Sequence, residues 1–453
     1  MRVSEPPSYL DRLHAAAAAT REHLTRAALD RWEIFAKASF TREIEITPDR
    51  SLRAIDVEET GVAVRTQRGG CTGFAAASGL GGEASRRVVE GALARETTTT
   101  IDPIPPHRLL GAGAKKPARP LPPRGWATHA AQELTQAVAS LAGTHLRVRR
   151  TIVQEGAFAW ILATGEGWVA HHQDTATSLL VEVELTGERA GVWRDWIHVP
   201  DPRAFDPESV AARIANRPLL TRCRVAADSG LRDLIFHPEV SAQFLASLAP
   251  LFLATGEEND PMASLLDRDG RLAAPTLTLA DDRNDPEAPI TGPCDGEGLP
   301  ASRTLLLDEG IPRHRLASFR DATRYGEVPR GGALRLSYRD YPATGIANLR
   351  VMTGSGTVPG ELLRSVDSAL YLLRPLAPIG IHLQTDTYRI VASGVWLDGA
   401  RVRGWHPVVE LRGSIGRLLR RIEAVGTDLC WFQTDHGCVG APSLLVRRQR
   451  VVG

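Results

Sequence analysis

The sequence predicts an α+β protein of two domains. A length of 453 residues exceeds one ordinary hydrophobic core. Alternating apolar and polar runs broken by glycine turns recur through both halves, and helical periods are interspersed among them without a regular β-α rhythm. Apolar residues at 43% and charged residues at 24% are ordinary for a globular chain, and there is no internal repeat.

Residues 8–38 carry Leu10, Leu13, Leu24, Ala28, Trp32, Ile34 and Phe35 among charges, a loose helical period that predicts a helical opening. From Arg42 the period becomes two, with strands expected at 43–46, 52–57, 61–65 and, after the turn Arg68-Gly69-Gly70, at 73–75. Glycine pairs between such runs accept positive φ and mark hairpins. A helix is expected over Gly82 to Ala94. Residues 102–125 then hold prolines 103, 105, 106, 117, 120, 122 and 123, too many missing amide donors for helix or sheet. This stretch reads as a long loop or a tether across the first domain.

Helix returns over Gln132 to Leu141, and 145–200 reads as strands, among them Phe158 to Leu162 and Leu179 to Leu185. Asp206 as N-cap and Pro207 at the first helical position open a helix through Leu220. The boundary is expected near Asp228, giving domains 1–228 and 229–453. In the second half an apolar helix follows His237. Then come a strand Thr276 to Leu279, a loop 281–300, and a hairpin of Thr304 to Leu307 with Arg315 to Phe319 turning at Glu309-Gly310. A helix Glu361 to Leu373, a hairpin at Asp398-Gly399, a helix Ser414 to Ala424 and a strand Ser443 to Val452 complete the chain.

Fifty-four basic against 53 acidic residues leave a formal charge of +1, which offers no field for nucleic acid or an anionic membrane. Fifty-one of the basic residues are arginine, the lysines being Lys37, Lys115 and Lys116. The longest apolar run, Phe244 to Ala254, is about half of the roughly 20 residues a membrane span needs. No secretory signal is recognisable, so a cytoplasmic location is expected. Five scattered cysteines without a Cys-x-x-Cys suggest reduced thiols.

Several short segments, taken in order, resemble the TldD/PmbA family of peptidase-related proteins, and its TldE (PmbA) branch above all. Asp295-Gly296-Glu297-Gly298-Leu299-Pro300-Ala301-Ser302-Arg303-Thr304 is similar to D-D-E-G-x-P-x-x-R-T, and Leu307-Asp308-Glu309-Gly310 to L-I-E-N-G. Ile422 to Leu429 resembles I-x-A-V-G-N-D-L, Gly440 to Val446 resembles G-A-P-S-L-L-V, and Gly61 to Ala75 follows G-V-G-V-R…G-R-V-G-F-A. The resemblance covers roughly 40–453. Gly296, Thr427, the proline-rich stretch and the first 40 residues depart from it.

The resemblance implies an N-terminal mixed α/β domain and a C-terminal domain on a curved, mainly antiparallel sheet. It also implies a heterodimer, in which a TldD-like chain holds the metal through His-Glu-x-x-x-His and a downstream cysteine, and unfolded peptide is cleaved in a lumen between the subunits. Here Pro238-Glu239-Val240-Ser241-Ala242-Gln243 stands at that motif, with Pro238 and Gln243 where the histidines would be. Neither ligates zinc as imidazole does. The expectation is a TldE-like subunit with no metal and no cofactor of its own, zinc residing in its partner, and a role in processing a peptide natural product. Glu239 is a relic position, and Glu297, Arg303 and His237 are candidate substrate contacts.

Two alternatives stay open at this stage. One is an active metallopeptidase using Cys430, His436 and Cys438, soft ligands at a spacing that can hold zinc. The other is a peptide-binding scaffold without protease activity. His171 and His172, adjacent in a strand, face opposite ways and cannot share a metal. Asp295, Glu297 and Asp308 fit a carboxylate-stabilised turn as well as acid-base work, and Gly79-Leu80-Gly81-Gly82 lacks the Gly-Lys-Ser/Thr of a phosphate loop.

Overall fold

The computed structural model describes residues 9–49, 52–97, 103–111, 118–186, 191–225, 229–254, 256, 260–354, 356–399 and 401–452. The N-terminal half contains α1 (Tyr9–Leu24), β1 (Arg31–Ile46), β2 (Leu52–Arg68), β3 (Cys71–Ser78), α2 (Gly82–Ala94), α3 (Trp126–Ala142), β4 (Leu146–Thr164), β5 (Val169–Leu185), β6 (Gly191–His198) and α4 (Pro207–Leu220). Its strands form one antiparallel sheet in the order β3-β2-β1-β4-β5-β6. Gly69 and Gly70 take φ of +56° and +81° in the β2–β3 turn, the left-handed geometry a two-residue hairpin asks for.

One face of this sheet is covered by helices. Leu13 and Leu24 of α1 and Val88 and Val89 of α2 pack on Ile34, Ala36 and Val62, while α3 and α4 cover Val153, Leu179 and Val181 farther along. The opposite face meets the C-terminal half. Cross-strand partners Lys37 with Trp160 and Phe35 with Leu162 put these four side chains on it together.

The C-terminal half contains β7 (Gly230–Phe236), α5 (Pro238–Ser247), β8 (Leu279–Asp282), β9 (Arg303–Asp308), β10 (Ile311–Pro312), α6 (Phe319–Tyr325), β11 (Ala333–Leu334), β12 (Ala343–Thr344), β13 (Asn348–Val351), α7 (Pro359–Arg364), β14 (Ser368–Pro375), β15 (Gly380–His382), β16 (Thr387–Asp398), β17 (Arg401–Ser414), α8 (Ile415–Leu419), β18 (Ile422–Val425), β19 (Cys430–Thr434), β20 (Gly437–Ala441) and β21 (Leu444–Val452). One sheet runs β14-β7-β21-β17-β16-β15, and β14 pairs with β16 as well, so the sheet curls until it closes on itself. Only its β14–β7 pairing is parallel. A second sheet, β10-β9-β8-β13-β20-β19, packs with α5 on the curled one around Phe236, Phe244, Leu349 and Val439. The α+β class and the curved, mainly antiparallel C-terminal sheet are therefore present.

Several boundaries differ from expectation. Residues 31–38 belong to β1, not to a helix; Ile34, Phe35 and Ala36 are all buried because both faces of this central strand are covered, which erases the alternation that reveals strands. The same cause hides β14, which takes up 368–373 of the helix expected over 361–373. The expected strand at 276–279 begins instead at Leu279 and contains the buried carboxylates Asp281 and Asp282. Arg315 to Phe319 is not a strand; Ser318 caps α6 by accepting a bond from Asp321 N at 3.2 Å. The turn at Glu309-Gly310 and the helix opened by Asp206 are where the sequence puts them, with Asp206 Oδ1 accepting from Glu208 N and Ser209 N at 3.1 and 3.2 Å.

The described parts of the proline-rich stretch, 103–111 and 118–125, run along the seam between the halves, where Gly111 N donates to Gly298 O at 3.1 Å and Arg119 Nη2 to Pro289 O at 3.1 Å. The expected boundary at 228 falls outside the described residues. Among those residues no helix is long and apolar enough to cross a membrane.

Candidate functional site

Strand β7 ends at Phe236, and His237 turns the chain into α5. His237 is a buried N-cap: its Nδ1 accepts from Glu239 N at 3.1 Å, and its own amide donates to Leu372 O of β14 at 3.0 Å. Burial, reinforced by Arg217 and Arg213, holds its pKa well below the ordinary imidazole value, so the ring is neutral with its proton on Nε2. The accepting nitrogen of His237, expected as a substrate contact, is committed to the helix it caps.

Glu239 meets an unexpected partner. Arg217 of α4 reaches across from the N-terminal half, and its guanidinium binds the Glu239 carboxylate, Asp195 of β6 and the carbonyl of Leu373, the last at 3.2 Å. The Arg217 side chain is 1% exposed and that of Glu239 25%. Trp193 forms a wall of this cluster, with the guanidiniums of Arg217 and Arg374 at 5.7 and 3.9 Å from its ring centre. Burial, with the nearby Glu239 carboxylate adding to it, raises the Asp195 carboxyl above its usual range against the pull of Arg217, which stays charged between the two. The sequence signal for Arg217 was available, since it shares a helix face with Ala211 and Ile214, a charge placed among core positions. The signal was missed.

These residues do not fit a catalytic zinc. Such a metal needs three fixed protein ligands beside an open position. Pro238 has no donor, and the one carboxylate of the motif is already bound to a cation. The alternative set fails on register. Cys438 pairs with Gln433, three residues from Cys430 along β19, so the two thiols sit about 10 Å apart along the strand and on opposite faces. His436 lies in the turn between the strands, and among the described residues no three His, Cys, Asp or Glu side chains converge on a common point. His171 and His172 do face opposite ways: His171 lies against His14, and His172 against Phe158 and Trp160.

The second constellation is the segment around Glu297. Asp295 organises it, its Oδ1 accepting from Glu297 N and Leu299 N at 2.9 Å each and its Oδ2 from Ala333 N at 3.1 Å. Gly298 takes φ +90°, where a Cβ would also strike Trp168. Glu297 is not at an open mouth, as expected, but 0% exposed: its Oε1 accepts from Arg65 of β2 at 3.1 Å and its Oε2 from Phe319 N at 2.6 Å. Arg65 continues to Glu33 at 2.7 Å, and Glu33 to Arg335 at 2.5 Å. Glu297 is thus part of a buried chain of alternating carboxyl and guanidinium groups that joins the halves. Burial first, and then the neighbouring Asp295, push its carboxyl up to about 7 against the pull of Arg65. Arg303 differs. Its side chain is 54% exposed, held by Asp282 at 2.6 Å, and so remains presented to solvent.

Residues 229–453 match the family described as the PmbA/TldA metallopeptidase C-terminal domain. Among curated relatives, a metalloprotease of Synechocystis is 28% identical over 206 residues, 42% of this chain and 42% of its own length. An uncharacterised protein of Methanocaldococcus jannaschii is 24% identical over 182 residues, 40% of this chain and 42% of its own. The chain thus spans less than half the length of each of these two. Among solved structures, TldE from Thermococcus kodakarensis superposes with a TM-score of 0.82 at 16% identity, covering 96% of this chain and 100% of that one.

Proposed function

Because residues 229–453 belong to the PmbA/TldD metallopeptidase family and the whole chain has the fold of its TldE branch, we propose that it is the TldE-like, non-catalytic subunit of a heterodimeric metalloprotease. Its partner in this reading is a TldD-like chain that brings the zinc and the His-Glu-x-x-x-His helix. The pair cleaves unfolded peptides in the cytoplasm, as a housekeeping step or in the maturation of a peptide natural product. The observation that carries the reading is the Arg217–Glu239 contact. A carboxylate serves as general base only when it is free to take a proton from water beside the reacting centre; here it neutralises a buried guanidinium. An extended substrate strand held by main-chain hydrogen bonds would give the affinity, with little dependence on sequence.

The test is elemental analysis and peptide digestion on the isolated chain, then on the chain reconstituted with a TldD-like subunit. The isolated chain is expected to hold no stoichiometric zinc and to leave peptides intact, and the pair to cleave them in a chelator-sensitive way. Within the pair, Arg303→Ala is expected to slow turnover. Glu239→Ala, once folding is verified, should slow it less. One tightly held metal with cleavage by the isolated chain would falsify the assignment.

A further inference from the structure

Where the N-terminal sheet meets the C-terminal half there is a cavity of about 180 Å³, whose apolar wall includes Phe158 and Trp160 and whose charged lining is Lys37, Arg283, Arg335 and Asp295. Lys37 is the one lysine among the described residues, in a chain that otherwise uses arginine for positive charge. Its Nζ donates to the carbonyl of Leu336 and lies 5.6 Å from the centre of the Phe158 ring. An ammonium has three donors, and among the described residues no carboxylate forms an ion pair with this one. The two acids that act on it from farther off are engaged elsewhere: Glu59 by Arg339, and Asp340 by the amides of Leu336 and Ser337 at 3.0 and 2.7 Å. Burial in these surroundings draws its pKa down, the sign of an ammonium short of compensating charge.

We propose that this cavity binds the C-terminal residue of a peptide, its apolar or aromatic side chain against Phe158 and Trp160 and its free α-carboxylate on Lys37. The volume decides the size of the guest. Pockets for whole small molecules run to roughly 300–1,000 Å³, whereas this one has room for a single side chain. The charge decides its chemistry, because the three cations Lys37, Arg283 and Arg335 outnumber the one lining carboxylate, Asp295, and a half-buried ammonium without an ion-pair partner gains from an added carboxylate. The inference rests on the reading of the chain as a holder of unfolded peptide and gives that role an end-recognising subsite.

The experiment uses the full chain and an N-terminally fluorescent, unstructured hexapeptide ending in Phe, as free acid, as C-terminal amide, and as an amide ending in Glu, read by fluorescence anisotropy. The acid is expected to bind at least about tenfold tighter than the Phe amide, the scale of one charge-assisted contact. Lys37→Met should bring the acid to the level of the amide, Lys37→Arg should restore part of the difference, and Trp160→Ala should weaken acid and amide alike, with folding verified by melting curves. Equal binding of acid and amide, no binding of either, or discrimination that survives Lys37→Met overturns the site. Tight binding of the Glu-terminated amide overturns the assignment to a chain end. Acid-selective binding with no cleavage by any reconstituted pair would reject the subunit reading and keep this site; cleavage without acid selectivity would do the reverse.

Discussion

Glu297 is the residue whose environment departs furthest from what its motif suggests. Its carboxyl is raised from 4.5 to about 7, so between those values the folded chain keeps a proton that the unfolded chain has released. Its stabilising contribution is therefore complete below about pH 4.5 and is lost as pH rises through 7. Glu297→Gln cannot ionise, while its amide oxygen can still accept from Arg65 or Phe319. Comparing denaturant unfolding from pH 4.5 to 7.5, we expect the stability difference to move in favour of the variant, by on the order of 1–3 kcal/mol across the window. Parallel curves would mean that Glu297 is ionised throughout. Asp295, also raised by burial, lies beside Glu297 and is relieved of that neighbouring charge in the variant, so the difference reports the two carboxyls as a pair.

Helix α4 is one of the elements through which the two halves hold one another, and Arg217 is its anchor. Arg217→Met leaves Asp195 and Glu239 without their shared cation, Asp195 in a setting with little access to water. Breaking such a buried pair from one side costs about 3–5 kcal/mol. Urea unfolding should register that loss, and adding Asp195→Asn should return part of it; strictly additive effects, or a loss below about 1 kcal/mol, would show that the cluster is not coupled. The legibility of elements followed the same physical line. Helix α4 was readable because its cap chemistry is local, and α2 because Ala84, Val88, Val89 and Ala92 form one face toward the core. Strands β1 and β14 were not, since strands buried on both sides carry no period. The site divided similarly: Glu239 and Glu297 were visible as motif positions, whereas the arginines that bind them lie 22 and 232 residues away in sequence.

Seen whole, the molecule is less divided than a boundary near 228 suggests. One hydrophobic core contains Leu134 and Val138 of α3, Ile214 of α4, Val153 and Val181 of the N-terminal sheet, and also Ile235, Ala369, Leu373, Val395 and Leu445 of the curled C-terminal sheet. Length alone predicted two cores, and the chain has several clusters, but this one takes side chains from both sides of the proposed boundary. Tyr338 adds a contact of the same kind, lying so close over Gly61 of β2 that a Cβ there would stand 2.3 Å from its ring. A shared core makes each half the template of the other. Synthesised as two pieces, 1–228 and 229–453, each would expose the apolar surface that the other covers, and separately they should be poorly soluble and melt without cooperativity. Co-expressed, the pieces should reassemble into one particle with a single melting transition, whose midpoint rises with protein concentration because association has become part of folding. Two fragments that each melt sharply alone would mean that the shared core is dispensable. Fragment complementation of this kind would make peptide capture dependent on the meeting of two separately supplied halves.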